Sequence, residues 1–136
     1  MNKHIFKAIM DKFNASAELT AALDGGMFLI DFPQQHNEPD IYPYCVFLPV
    51  SDVKEYTFSE QADNALIQFS IYDNDDGVAT VQDAGDILKS VYDFATLTVS
   101  GYNHICMMQE FSDLYKEDGF WHYVITYRLE IQKARS

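Results

Sequence analysis

The sequence predicts an α+β domain: one twisted, mainly antiparallel sheet with two helices packed on one face and a long C-terminal β-hairpin. Three observations predict it. Residues 1–13 and 77–94 repeat apolar side chains at helical spacing, and "ALIQFSIY" (65–72) alternates apolar and polar residues strictly. Asp118-Gly119 is a two-residue turn signal set between two long β-like runs, because both central positions of a type I′ turn need positive φ. The 136 residues suit a single domain, 1–136, large enough to bury a core.

The elements follow in chain order. Ile5, Ile9 and Phe13 lie four apart, with Phe6 and Met10 alongside, which makes the first segment an amphipathic helix. "NASAELTAALDGG" is a break and a short second stretch of helix with Leu19 and Leu23 on one face, stopped by Asp24-Gly25-Gly26. "MFLIDF" is a short strand ended by Pro33, "PQQHNEPDIYP" a loop, and "YCVFLPV" a buried strand. Val53–Phe58 reads as an exposed strand or arm. In "ALIQFSIY", Ala65, Ile67, Phe69 and Ile71 face one way, with Gln68 and Ser70 on the other. The second long helix, about Gly77 to Phe94, has Val81, Ala84, Leu88, Val91 and Ala95 as its apolar stripe, and Gln82, Asp86, Lys89 and Asp93 as a polar one.

Counting outward from Asp118-Gly119 pairs Leu114 with Tyr123, Met108 with Leu129 and Cys106 with Ile131 on one face of the hairpin. The other face pairs Tyr115 with His122 and Gln109 with Arg128. This register leaves Glu110 on the apolar face opposite Tyr127. A β-bulge between them would repair it and is expected there.

Net charge is −12, unevenly spread: residues 31–93 hold 13 acids against only Lys54 and Lys89. Such a surface repels DNA, since phosphate contacts need Lys and Arg. It suits a solvated face, a surface past which nucleic acid slides, or a DNA mimic. No apolar run approaches the roughly 20 residues of a membrane helix, and the N-terminus lacks a signal-peptide block, so no membrane partner and a cytoplasmic origin are expected. Cys45 and Cys106 make no CxxC motif, sit in apolar or β-like runs, and are expected as buried free thiols.

Asp73, Asp75, Asp76 and Gly77 suggest a calcium loop. An EF-hand with Gly77 as its sixth position puts Tyr72 at position 1 and Asp83 at position 12, where a bidentate Glu is needed. The motif fails, and Asp75 and Asp76 are better read as capping the following helix and complementing its dipole. His4, His36, His104 and His122 form no HxH or HExxH pattern; His104, His122 and Cys106 come near one another only if neighbouring strands align them. There is no GxSxG, GxGxxG or GxxxxGK[ST]. No catalytic residue, cofactor or metal is therefore expected, and the protein is read as not an enzyme. Two other readings stay open: a small-molecule- or cation-binding α+β domain using Asp73 to Asp76, and an acidic DNA-mimic inhibitor.

The organisation resembles the tail-completion (tail-terminator, head–tail joining) proteins of long-tailed bacteriophages and prophages. The resemblance rests on "ALDGGMFLIDFP", on Pro43, Tyr44, Cys45, Val46 and Phe47, on "IQFSIYDNDDG" with Ile71 and Tyr72 before the helix, and on a closing hairpin ending "VITYRLEIQ". It implies a structural subunit assembled as a homo-oligomeric ring, usually a hexamer, on the end of the tail tube at the tail–head junction of a virion. It implies contacts with the major tail-tube protein and the head connector or head-closure protein, and DNA passing through the bore without specific binding. A head-to-tail ring uses two different patches per subunit. The exposed segment with Val53, Tyr56 and Phe58 is the expected subunit interface, joining a neighbour's sheet.

Overall fold

The computed structural model describes residues 3–29, 42–49, 65–74, 77–97, 104–117 and 119–132. Helix α1, Lys3–Ala15, buries Ile5, Phe6, Ile9 and Phe13, the stripe that the spacing predicts. Ser16 then breaks the helical run and caps the next one: its Oγ accepts the Leu19 N–H at 3.1 Å, satisfying one of the free donors at the start of α2, Ala17–Ala22. Leu19 and Leu23 are buried as expected. The glycine stop is also present. Gly26 adopts φ +95°, a conformation L side chains rarely take, and its carbonyl accepts the Cys45 N–H at 2.9 Å.

Among the described residues six strands form one sheet in the order β1-β2-β3-β6-β5-β4, with β1 Met27–Leu29, β2 Tyr44–Pro49, β3 Ala65–Asp73, β4 Thr96–Leu97, β5 His104–Glu117 and β6 Phe120–Gln132. β1 pairs with β2 in parallel and every other pairing is antiparallel. Helix α3, Ala79–Tyr92, packs with α1 and α2 on one face, so the two long helices lie as expected and short α2 is the third. Among the described residues no helix is long and apolar enough to cross a membrane.

Two expectations need correction. The helical spacing runs on to Ala95, but α3 ends at Tyr92. Phe94 turns to φ +59° with its ring 71% exposed, its N–H donates to the Met107 carbonyl, and the Ala95 carbonyl accepts the Met107 N–H, each at 2.8 Å. These sheet bonds draw the chain off the helix and start β4, a strand that local spacing did not predict.

The second correction is the hairpin register. Leu114 pairs with Tyr123 and Tyr115 with His122, as counted from the turn. The bulge expected near Glu110 is there: Gln109 pairs with Tyr127 and Phe111 with Thr126, leaving Glu110 as the extra residue. Beyond it every partner moves by one. Met107, not Met108, meets Leu129; Ile105, not Cys106, meets Ile131; and Met108, not Gln109, meets Arg128. The slip turns Met107 and Ile105 into the core, where both are fully buried, and the expelled Glu110 carboxylate lies 3.1 Å from the Arg128 guanidinium.

The core is aromatic at its centre. Phe69 of β3 stacks on Phe47 of β2 at 5.8 Å and on Tyr92 of α3 at 4.8 Å, and meets Tyr127 of β6 edge-on at 5.8 Å. The buried hydroxyls are bonded: Tyr92 donates to the Ile9 carbonyl of α1 at 2.8 Å, and Tyr127 to the Asp93 carboxylate at 2.5 Å. Burial pushes both phenols well above their ordinary range, reinforced at Tyr127 by Asp93. Gly85 lets α3 lie directly on Tyr123, since a Cβ there would fall 2.2 Å from the ring.

Gly85→Ala is expected to lower stability by about 1–3 kcal/mol through overpacking, despite the roughly 1 kcal/mol by which Ala favours a helix over Gly. Urea unfolding measures this, and adding Tyr123→Val should restore part of the loss. Tyr92→Phe should cost about 1 kcal/mol in the same assay, since it removes the buried hydroxyl's bond to the Ile9 carbonyl.

Candidate functional site

The strands that bury Ile67, Phe69, Ile71, Tyr123 and Ile125 toward the helices must turn the alternate residues to the second face of the sheet. The middle of that face is itself buried: Val46, Ser70, Val124 and Thr126 are each at most 9% exposed. Toward the end where β3 finishes and the hairpin turns, the character changes. Four strands there present Tyr44, Tyr72, His122 and Tyr115 at successive paired positions. Their rings make one continuous row. Tyr44 stacks on Tyr72 at 5.3 Å, Tyr72 on His122 at 4.3 Å, and His122 tilts against Tyr115 at 5.0 Å. Tyr42 extends the row, 5.6 Å from Tyr44 and 5.9 Å from Phe120.

The polar atoms of the row are specific. The Tyr115 hydroxyl and His122 Nδ1 lie 2.8 Å apart, while His122 Nε2 is buried without a hydrogen-bond partner among the described residues. Burial lowers the affinity of the imidazole for a proton, opposed by the negative charge of nearby Glu117. Burial also raises the Tyr44 phenol to about 12, with Tyr42 and Tyr72 adding to it. Tyr72 is raised by burial too, opposed by its hydrogen bond with Ser70 and helped by the charges of Tyr115 and Glu117. Burial thus favours the neutral forms of Tyr44, Tyr72 and His122, and Glu117 sits beside them.

The sequence-predicted residues fall differently. Val53, Tyr56 and Phe58 lie outside the described residues, as do Asp75 and Asp76; the N-cap position of α3 is Val78, without a side-chain cap bond. Asp73 is buried at the end of β3, in register with Trp121. The mutual approach of His104, His122 and Cys106 is corrected: His104 pairs with Gln132 at one end of the hairpin and His122 with Tyr115 at the other. Among the described residues no three His, Cys, Asp or Glu side chains are placed to hold a metal ion. Cys45 is a fully buried thiol pushed up by burial, and Cys106 is only half-buried. The Tyr115–His122 pairing was legible from the turn. Tyr44 and Tyr72 were not, because only the register of β2, β3 and β6 brings them into the same line.

No known family model matches the chain, and no curated protein matches it. Solved structures share its fold, among them these two. One is a chain of the virion of a native gene transfer agent particle, with a TM-score of 0.69 and 15% identity, covering 92% of each chain. The other, a protein without a functional name, has a TM-score of 0.62 and 12% identity over 96% of this chain and 97% of its own.

The depressed His122 affinity sets a pH dependence. The unfolded histidine titrates near 6.5 and the folded one lower, so below that pH the unfolded state takes up more protons and folding weakens. Stability is expected to be full above about pH 6.5 and to fall as the pH drops through it. The fall should be shallower in His122→Gln, compared by urea midpoints at several pH values.

Proposed function

We propose that this chain is a structural subunit of a phage-like particle, acting as a tail terminator or head–tail joining protein. The observation that carries this reading is the shared fold with a chain of a gene transfer agent virion over 92% of both molecules. The sequence resemblance to tail-completion proteins points the same way. The subunit assembles head-to-tail into a ring on the end of the tail tube, stops tube growth and offers its far side to the head connector. The segment carrying Val53, Tyr56 and Phe58 supplies one of the two patches that such a ring needs. The net charge of −12 suits a bore through which DNA moves without sticking, because it offers few cations to phosphate. On this reading the work is done by surfaces, and no residue turns over a substrate.

Mass measurement in solution, with and without purified tail tubes, tests the proposal. A closed ring, alone or on tube ends, is the expected result. A chain that stays monomeric at high concentration and never caps tubes would sink it. Replacing Val53, Tyr56 and Phe58 together by Ser is expected to leave the far-ultraviolet dichroism unchanged and to abolish the ring.

A further inference from the structure

The tyrosine row does more than fill space. Each of its members, Phe120, Tyr42, Tyr44, Tyr72, His122 and Tyr115, touches the next at 4.3–5.9 Å between ring centres. The row ends in Tyr115, 38% exposed, and Phe120, 39% exposed, two of the few large apolar side chains that face solvent. Rings fixed by their neighbours lose little freedom when something docks on them, which is why Tyr and Trp dominate the centres of protein interfaces.

Charge selects what docks. Glu117, in register with Phe120, lies close enough to act on both Tyr72 and His122. Asp113, exposed two positions before Tyr115 on the same face of β5, adds a second carboxylate. The hairpin's cations Lys116 and Arg128 are committed elsewhere: Lys116 Nζ lies 5.4 Å above the Trp121 ring, and Arg128 pairs with Glu110. An aromatic row with an acidic border attracts cations twice, through the ring faces and through the carboxylates.

We propose that this row is a docking surface for a protein partner that presents arginine or lysine side chains on an exposed segment. A guanidinium lies flat on the exposed ring of Tyr115 or Phe120 while Glu117 takes its N–H groups. Phosphate-bearing partners are repelled by the same carboxylates. The inference goes beyond ring assembly and stands for a single subunit as well as for a ring.

The test uses the full chain and a labelled short oligoarginine peptide, followed by fluorescence anisotropy at about physiological salt, where long-range attraction is screened. Tyr115→Ala, Phe120→Ala and Glu117→Gln should each weaken binding about fivefold or more. Asp83→Asn and Asp86→Asn, on the exposed side of α3, should change it by less than about twofold. Tyr115→Phe keeps the ring and should keep the binding, and its thermal midpoint reports whether loss of the His122 contact disturbs the fold. Added peptide should shift the ring resonances of His122 and Tyr115. Equal weakening by the α3 variants would reduce the effect to net charge and overturn the proposal. So would unmoved ring resonances, or the same shifts on adding duplex DNA, which would assign the surface to nucleic acid.

Discussion

The single residue inserted at Glu110 governs how the hairpin joins the domain. β6 is in phase throughout: Tyr123, Ile125, Tyr127 and Leu129 all point to the helices. β5 is not. Near the turn its core-facing positions are Ser112 and Leu114, and at its start they are Ile105 and Met107, so the two halves differ in parity. A regular ladder could bury one half only by exposing the other, because a slip of one residue turns every side chain over. The bulge absorbs the mismatch at one point. It also places Glu110 beside Arg128, so the residue left out of the ladder gains an ionic partner at the rim.

With β5 and β6 in that relation, the helices find a surface shaped for them. Tyr123 fills the space that Gly85 leaves open, and its hydroxyl accepts a hydrogen bond from the Lys89 ammonium at 2.7 Å while the same cation lies 5.0 Å from the ring centre. Tyr92 and Tyr127 tie the end of α3 to α1 and to β6 through their hydroxyls. Three tyrosines thus do what aliphatic side chains could not. They occupy core volume and deliver a directed polar contact at its edge, where an unpaired carbonyl or carboxylate would be costly.

The same register that packs the core composes the second face. His122 falls between Tyr72 and Tyr115 because β6 pairs with β3 and β5 at those positions, and Tyr44 is added by the pairing of β2 with β3. A surface of this kind suits contact with another protein, the use proposed for it above.

Local pattern determined a good deal of this molecule. Helical spacing placed Ile5, Ile9 and Phe13 in the core, strict alternation oriented β3, and Asp118-Gly119 set the pairing of Leu114 with Tyr123 and Tyr115 with His122, because these signals act within a few residues of the chain. The discomfort of Glu110 opposite Tyr127 was enough to require a bulge. Tertiary structure alone decided the rest. The extent of α3 was settled by hydrogen bonds to Met107, a residue more than ten positions away, and those bonds made β4. The partners beyond the bulge depended on which side of Glu110 the slip falls. The aromatic row depended on three strand pairings at once, a condition that no stretch of sequence carries by itself, because side chains far apart along the chain become neighbours only when the sheet sets their register.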